Sequence, residues 1–285
     1  MNDYRFKLIF PKTRAPESVK QLLTDLFIQR KWRHFLRVEK NVLINSRYRN
    51  FNELVRPDDE IELNLTHVDS HQQKYMPSGQ LPRVVFEDDN ILVIDKPAGQ
   101  KTHPNLNETN TALNDCATYL GHCPYVVHRL DMLTHGLLLV AKNPAVVPIL
   151  NQELSRKICQ RDYLAWVKAS PDLPDQGIID KSIAQDPSDQ RKRLVSPTGL
   201  QAVTHFKLLC KKDDAALLQL QLETGRTHQI RVHLAHAGWP ILGDPLYNPA
   251  FEAGQKLQLT AFRLRLVLPF SFTVKTIVLP QEKNA

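Results

Sequence analysis

Cysteine, glycine and long apolar runs are all scarce in this chain of 285 residues. The four cysteines show no CxxC spacing, so the sequence predicts neither a zinc knuckle nor a disulfide framework. No run approaches the roughly 18 apolar residues of a membrane helix, and residues 1–5 lack a signal-peptide pattern. These absences predict a soluble, cytoplasmic protein with reduced thiols. The cysteines are Cys116, Cys123, Cys159 and Cys210.

Several familiar catalytic motifs are also missing. The chain contains no GxGxxG, no GxxxxGK[ST] and no GxSxG, which disfavours a nucleotide cofactor, an NTPase and an α/β-hydrolase. His228, His233 and His236 raise the alternative of a metal-dependent hydrolase. There is no HExxH arrangement, and no cysteine or acid is suitably spaced nearby, so we predict no metal.

Positive charge is concentrated near the start of the chain. The net charge is +7, yet residues 5–49 alone contain 12 Lys and Arg and only three acids, an excess of nine positive charges. A basic block attracts polyanions, because neutralising phosphates releases their counterions. The sequence therefore predicts a nucleic-acid partner, with a merely solvated surface as the alternative.

This basic block coincides with a pattern of short elements. Apolar residues at helical spacing predict one helix from Val19 to Phe27 and a second around Trp32, after which two strands lie near residues 42–46 and 61–65. Cationic residues at helical spacing on the second helix would line one exposed face. We predict a small α+β RNA-binding domain over residues 1–66 and a flexible polar linker over residues 67–83. The cationic residues of the second helix are Arg30, Arg33, His34 and Arg37.

Residues 84–285 are rich in strands and poor in helices. Such a pattern favours a mixed, largely antiparallel sheet over a doubly wound one. The fold class predicted for the whole chain is therefore α+β. No periodicity indicates repeats, and no feature predicts an assembly larger than a monomer.

Two polar segments stand beside apolar strands in this second part. In the first, His128, Arg129 and Asp131 precede a strong strand, and a carboxylate near a guanidinium stays ionised and able to act as nucleophile or base. A structural ion pair is the alternative. In the second, a helix is predicted from about Thr227, and Arg226 with the backbone donors of the helix start would suit a phosphate.

Arg231 and Tyr163 have two interpretations each. Arg231, one turn into that helix, suits either an anion or a buried carboxylate. Tyr163, at a strand start, suits either stacking on a base or packing in the core.

Taken together, these segments resemble the RluA family of pseudouridine synthases. The central motif is similar to His128-Arg129-Leu130-Asp131 with Thr134 and Gly136. The downstream motif is similar to residues 225–233 and 240–244, and the opening motif to Asp95-Lys96-Pro97-Ala98-Gly99. The front unit resembles the S-four-like RNA-binding domain that many members carry.

The resemblance implies roles for individual residues. Asp131 would be the catalytic carboxylate and Arg231 its ion-pair partner. Arg129 would hold the target nucleotide out of the RNA stack, Tyr163 would stack on the uracil, and Ile230 would line the base pocket. His128 and Arg226 would also contact the RNA. No metal or organic cofactor is implied.

Two further expectations concern the substrate and one position at which the sequence differs from the family. RNA is the expected partner, ribosomal rather than transfer RNA, with the large ribosomal subunit favoured by family analogy. His135 stands where the family usually has serine, and we expect it to affect substrate fit beside the active loop. A non-catalytic RNA-binding or ribosome-assembly protein that keeps the fold is the alternative.

Overall fold

A computed structural model describes residues 2–70, 72–106 and 108–280. The chain forms a small front unit followed by a larger one built on a wide sheet. The elements of the front unit are β1 (Asn2–Ile9), β2 (Glu17–Ser18), α1 (Val19–Asp25), α2 (Arg30–Val38), β3 (Val42–Ile44), β4 (Arg47–Tyr48), β5 (Leu54–Val55) and β6 (Glu60–Val68).

The front unit packs its two helices against a four-stranded sheet of order β1-β6-β3-β4. Ser18 ends the extended segment before α1, where its side-chain oxygen accepts a hydrogen bond from the Gln21 amide at 3.1 Å and caps the helix. The apolar stripe of α1 and the alternating residues of β6 are buried together, as the sequence predicts. The strand β1, which pairs antiparallel with β6, is an addition to the predicted elements.

The elements of the larger unit are β7 (Arg83–Glu87), β8 (Ile91–Lys96), α3 (Ala112–Leu120), β9 (Tyr125–Val126), β10 (His135–Ala141), α4 (Val146–Ser155), β11 (Gln160–Lys168), β12 (Gln176–Asp180), β13 (Ile183–Gln185), β14 (Arg193–Val195), β15 (Val203–Lys212), β16 (Ala215–Leu222), α5 (Gln229–His236), β17 (Leu259–Val267) and β18 (Val274–Val278). The central sheet runs β12-β15-β16-β11-β17-β10-β8-β7, with β18 added at β17 and β9 at β10. Nearly all of its pairs are antiparallel, and β10 with β17 is parallel. The predicted α+β class and mixed, largely antiparallel sheet are confirmed.

Gly136 is required where β10 meets β17. Its φ is +110°, and a Cβ at this position would lie 2.2 Å from the carbonyl oxygen of Ala261. Both the backbone conformation and the space therefore demand glycine. This close approach anchors the start of β10, immediately after the loop that carries Asp131.

The two units share one hydrophobic core, and the linker predicted over residues 67–83 stays a prediction. Phe6 of β1 stacks on Phe270 with ring centroids 3.4 Å apart, and the Arg14 guanidinium lies 4.3 Å from the ring centroid of Phe272. Buried residues of the front helices belong to the same apolar cluster as residues of α4 and β17. The front unit is thus packed against the larger one.

The polar segment before β7 is also attached to the larger unit. The Gln72 side chain accepts from the Val126 amide at 2.7 Å and donates to the Pro124 carbonyl at 2.8 Å. Tyr75 is buried, and Asn114 donates to the Met76 carbonyl at 2.7 Å. Polar composition predicted a linker, but these side chains bond to a neighbouring surface. The domain boundaries at residues 66 and 84 stay predictions.

No helix in the described part of the chain is long and apolar enough to cross a membrane.

Candidate active site

A cavity of about 590 Å³ opens where the loop before β10 meets the turn before α5. Its lining brings together every residue of the larger unit that the sequence analysis assigned to catalysis or RNA binding. A larger hollow of about 890 Å³, bordered by Trp166 and Leu242, contains none of them, so size alone does not mark the site. The assigned residues in the smaller cavity are Arg129, Asp131, Tyr163, Arg231, His128, Ile230 and Arg226.

The loop that carries Asp131 is held from below by the segment that follows β8. Lys96, fully buried, donates to the carbonyl oxygens of Pro97 and Gln100 at 2.8 Å and of Met132 at 3.2 Å. The Gly99 amide also donates to the Met132 carbonyl, at 2.8 Å. Three carbonyl acceptors explain how an ammonium group is accommodated in the core. Burial lowers the pKa of Lys96 to about 8, against the opposing effect of Asp131.

Lys96 is a site residue whose role the sequence analysis missed. The signal was present, since Lys96 ends a strand that begins with four apolar residues, and it is followed directly by proline. A lysine in that position is expected to have several acceptors, because an unpaired buried ammonium is strongly unfavourable.

Asp131 lies at the cavity wall with its side chain 17% exposed. Its Oδ2 is 3.7 Å from Nη1 of Arg231 and 3.9 Å from Nε2 of His228. The carboxylate therefore faces one guanidinium of α5 and the imidazole of the residue just before α5, while staying open to a ligand. The predicted proximity of Asp131 and Arg231 is present in the structure, with a partner, His228, that the sequence analysis had assigned only to the metal alternative.

Arg231 bonds most closely to a different carboxylate, that of Asp244. Nε and Nη2 of Arg231 donate to the two oxygens of Asp244 at 2.8 and 2.7 Å, and both side chains are almost fully buried. Burial acts to lower the pKa of Arg231, but the bonds to Asp244 outweigh it and raise that pKa. The guanidinium is thus fixed by one bidentate pair, which leaves Nη1 directed at Asp131.

His228 bonds through one ring nitrogen to Tyr247 and faces Asp131 with the other. Its Nδ1 lies 2.8 Å from the Tyr247 hydroxyl, which accepts from the Arg193 amide, also at 2.8 Å. Burial lowers the pKa of His228, which favours the neutral ring. Its Nε2 lies 3.9 Å from Oδ2 of Asp131.

His233 is used differently from His228. It is fully buried, and its two ring nitrogens bond to the Thr204 hydroxyl and the Lys181 carbonyl, both at 2.9 Å. Within residues 2–70, 72–106 and 108–280, no three His, Cys, Asp or Glu side chains come close enough to hold a metal ion. The three histidines of the metal alternative therefore do not converge.

Tyr163 and Ile230 form the apolar side of the cavity. Each is 4% exposed, and both belong to the hydrophobic cluster of the larger unit. Burial raises the pKa of Tyr163, so the phenol keeps its proton at neutral pH. The phenol ring is held in place and borders the same space as Asp131.

Arg129, Arg226 and His128 occupy three different settings. Arg129 is exposed at the rim, and Arg226, also exposed, donates through Nε to the Gln201 carbonyl at 3.0 Å. His128 Nε2 accepts from the Leu139 amide at 3.0 Å, and burial together with Arg161 lowers the pKa of His128 to about 3. One nitrogen of this neutral ring is therefore hydrogen-bonded to β10. Contact of His128 with RNA stays a prediction.

His135 lies on the face of the sheet opposite to the cavity. Its Nε2 bonds to the Thr260 hydroxyl at 3.0 Å, and it borders a separate hollow together with Leu164 and Phe262. Because alternate residues of a strand point to opposite faces, Tyr163 faces the cavity and Leu164 faces away. The expectation that His135 affects substrate fit stays a prediction, and this position disfavours a direct contact with a ligand in the cavity.

The basic surface of the front unit is smaller than its composition predicts. Arg33 donates to the Thr24 hydroxyl at 2.8 Å and is partly buried, so it leaves the predicted exposed face. Arg30 and Arg37 are exposed and have no ion pair within the described ranges. Other cations are neutralised by acids: Arg5 and Lys7 by Glu62, Lys12 by Asp58, and Arg49 by Asp59.

Comparison with known families agrees with this arrangement. The family described as RNA pseudouridylate synthase matches residues 90–236, which is more than half of the chain and includes the Asp131 loop and α5. The description "RluD ribosomal pseudouridine synthase N-terminal domain" matches residues 6–61 of the front unit. The chain belongs to the RNA pseudouridine synthase family, whose members are isomerases.

Individual relatives extend the match. A protein of Bacillus subtilis named uncharacterized RNA pseudouridine synthase YhcT is 38% identical over 229 residues, which are 77% of this chain and 74% of that one. Ribosomal large subunit pseudouridine synthase D of Nitrosomonas europaea is 41% identical over 188 residues, 63% of this chain and 52% of that one. The chain thus spans about half the length of the latter relative.

A solved structure shares the fold of this chain. Human RNA pseudouridylate synthase domain containing 1 superposes with a TM-score of 0.60 at 22% identity, covering 71% of this chain and 84% of the human one. At this identity the likeness concerns the fold alone.

Proposed function

We propose that this protein converts uridine to pseudouridine in structured RNA, with Asp131 as the catalytic carboxylate. One observation carries the proposal: the partly exposed carboxylate of Asp131 faces Nη1 of Arg231 at 3.7 Å inside a cavity that Tyr163 also lines. An ionised carboxylate acts as nucleophile or base, and the fixed guanidinium of Arg231 supplies a compensating charge beside it.

The proposed reaction moves one bond within the nucleotide. The bond from uracil N1 to the sugar C1′ breaks, and a bond from uracil C5 to C1′ forms. C5 loses a proton and N1 gains one, so the atoms balance without an oxidant, a reductant or water. Asp131 either attacks C1′ or takes a proton from the sugar while the uracil detaches and turns. The proposal therefore includes no cofactor.

The remaining cavity residues support binding of a nucleotide that has left the RNA stack. Extruding a base costs a few kcal/mol in lost stacking. Tyr163 and Ile230 offer the base an apolar, aromatic wall in return. Arg129, exposed at the rim, is placed to hold the nucleotide outside the helix. The fixed loop below Asp131 keeps the reacting carboxylate in position during this exchange.

Large-subunit ribosomal RNA is the proposed substrate, and the protein is proposed to act as a monomer in the cytoplasm. Relatives with 41% identity are named ribosomal large subunit pseudouridine synthase D, and the front unit matches the N-terminal domain of that group. Free cysteines agree with a reducing compartment. The exposed Arg30 and Arg37 of α2 supply charge for RNA away from the cavity.

The proposal is tested by mapping pseudouridines in total RNA with carbodiimide in cells with and without the gene. Deletion should remove pseudouridine from particular ribosomal RNA positions. The wild-type gene should restore them, and a gene carrying Asp131→Asn should not. Restoration by the Asp131→Asn gene would reject Asp131 as the catalytic carboxylate.

Two rival functions have distinct outcomes. A non-catalytic RNA-binding or ribosome-assembly protein would bind RNA but leave every pseudouridine unchanged upon deletion. A metal-dependent hydrolase would contain stoichiometric zinc or manganese when the purified protein is analysed for its elements.

A further inference from the structure

Arg161 lies inside the same cavity, and no role has been assigned to it above. It is the second residue of β11 and stands two residues before Tyr163, so both side chains point to the cavity face of the strand. Its guanidinium rests against the turn before α5. A Cβ placed on Gly225 would lie 3.5 and 3.6 Å from Nη1 and Nη2 of Arg161, so the turn passes close to the charged group.

The charge of Arg161 has no partner within the described ranges of the chain. The guanidinium forms neither a salt bridge nor a hydrogen bond there, and its Nε is buried without an acceptor. This contrasts with Arg231, whose charge is compensated by Asp244. A half-buried guanidinium without an acceptor is unfavourable, so a site of this kind suits an external anion.

The acids near Arg161 are already engaged by other groups. Glu223 lines the cavity, but its Oε1 bonds to His205 at 2.5 Å and its Oε2 to Lys157. Asp162 follows Arg161 in the strand, points to the opposite face and pairs with Arg263. Neither carboxylate is available to neutralise Arg161.

We propose that Arg161 binds a phosphodiester group directly attached to the target uridine. This inference rests on the proposed function, because it places RNA in the cavity. Uracil and ribose are neutral, so the anions of an RNA substrate are its phosphates. The planar fork of a guanidinium matches two phosphate oxygens. A cavity of about 590 Å³ lies within the range of sites for small ligands.

The arrangement gives the cavity two separate tasks. Asp131, Tyr163 and Arg231 surround the base and the reacting sugar carbon, whereas Arg161 fixes the backbone of the same nucleotide. Binding energy from a group that does not react can thereby hold C1′ against the carboxylate. Arg161 is on this account a substrate-binding residue.

The test uses direct calorimetric titration with two small probes, uridine and uridine 3′,5′-bisphosphate. The probes differ only in phosphate groups, so a phosphate-binding residue should affect the second alone. Since a hydrogen bond to a charged group is lost, Arg161→Gln should lower the affinity for the bisphosphate by about tenfold or more. The affinity for uridine should stay within about twofold of the wild-type value. A twofold change is smaller than the loss of a hydrogen bond to a charged group would cause.

Two further variants keep the test informative. Arg161→Lys retains the positive charge but not the planar guanidinium. It should lower the affinity for the bisphosphate less than Arg161→Gln does. Arg191→Gln removes one exposed guanidinium that pairs with Asp189 outside the cavity, and it should leave both probes unaffected. If Arg161→Gln does not fold, a selective loss of bisphosphate binding in Arg161→Lys supports the proposal.

Unchanged bisphosphate binding in the Arg161 variants would overturn the inference, as would an equal loss for both probes, which would indicate contact with base or ribose. These titrations do not require turnover. Failure of the proposed function would appear instead as wild-type protein that forms no pseudouridine, whatever Arg161 binds.

Discussion

The front unit and the cavity of the larger unit both carry positive charge, but they accommodate it differently. On the front unit, cations such as Arg5 and Lys7 are exposed and lie against Glu62 at 3.2 Å, in reach of water and salt. In the cavity, Arg231 is 3% exposed and bound by both oxygens of Asp244. Surface charge attracts RNA over a distance and is screened, whereas buried charge determines geometry at contact. The amino-acid composition counts paired and unpaired cations alike. A local excess of cations therefore overstates the positive charge that is available to RNA.

The largest expected effect comes from breaking the buried pair. Asp244→Asn leaves the Arg231 guanidinium buried without its counter-charge, which should lower the free energy of unfolding by about 3–5 kcal/mol. Pseudouridine formation should be lost as well, because Nη1 of Arg231 is no longer fixed toward Asp131. Urea denaturation and a product assay measure the two effects.

An exposed pair provides the control. Asp189→Asn removes the partner of the exposed Arg191 and should change stability little. Equal losses in Asp189→Asn and Asp244→Asn would remove the distinction between surface and buried charge.

The next largest effect is a loss of stability in acid, which we expect from the ring of His128. Its pKa of about 3 in the folded protein lies below the ordinary 6.5, so the unfolded chain binds the proton first as the pH falls. Stability should therefore decrease below about pH 6.5, by about 1.4 kcal/mol per pH unit from this group. His128→Gln keeps an acceptor for the Leu139 amide and should lose that part of the slope.

Urea denaturation of the wild type and of His128→Gln between pH 7 and pH 4 gives the measurement. Identical slopes for the two proteins would show that the ring titrates normally and is not confined as the structure places it.

A smaller effect is expected from the exposed charge of the front unit. Changing Arg30, Lys31 and Arg37 together to glutamine should weaken RNA binding and lower the slope of log affinity against log salt by up to about three. The matched control changes Arg5 and Lys7, which are paired with Glu62, together with Lys12, which is paired with Asp58. An equal change of slope in both triple variants would mean that pairing on the surface does not matter for RNA.

The smallest effect is expected at His135. Because its ring bonds to Thr260 on the face opposite to the cavity, His135→Ser should leave both kcat and KM of pseudouridine formation within about twofold, less than the cost of one net hydrogen bond. A large change in KM would indicate that this face of the sheet also contacts RNA.

Local patterns in the sequence account for much of the fold and of the site. Alternation along β6 and the apolar stripe of α1 depend on neighbouring residues, so the sequence alone predicts them. Asp131, Tyr163 and Arg231 were assigned through the motifs around them, and the cavity brings them together.

Features that depend on distant partners were missed. Strand β1 owes its place to β6, more than fifty residues later, and Gln72 bonds to residues near position 125. The face on which His135 lies follows from where β10 begins, since a shift of one residue reverses it. Composition gave no sign of such pairings, because each one depends on two segments at once.

The most direct test of the central claim follows the hydrogen on uracil C5 with purified protein. RNA transcribed with [5-³H]uridine loses tritium to water only when the base rejoins the sugar through C5. The wild-type protein should release tritium in proportion to the pseudouridine formed, and Asp131→Asn should bind the same RNA and release none. Release by Asp131→Asn at the wild-type rate would contradict the account.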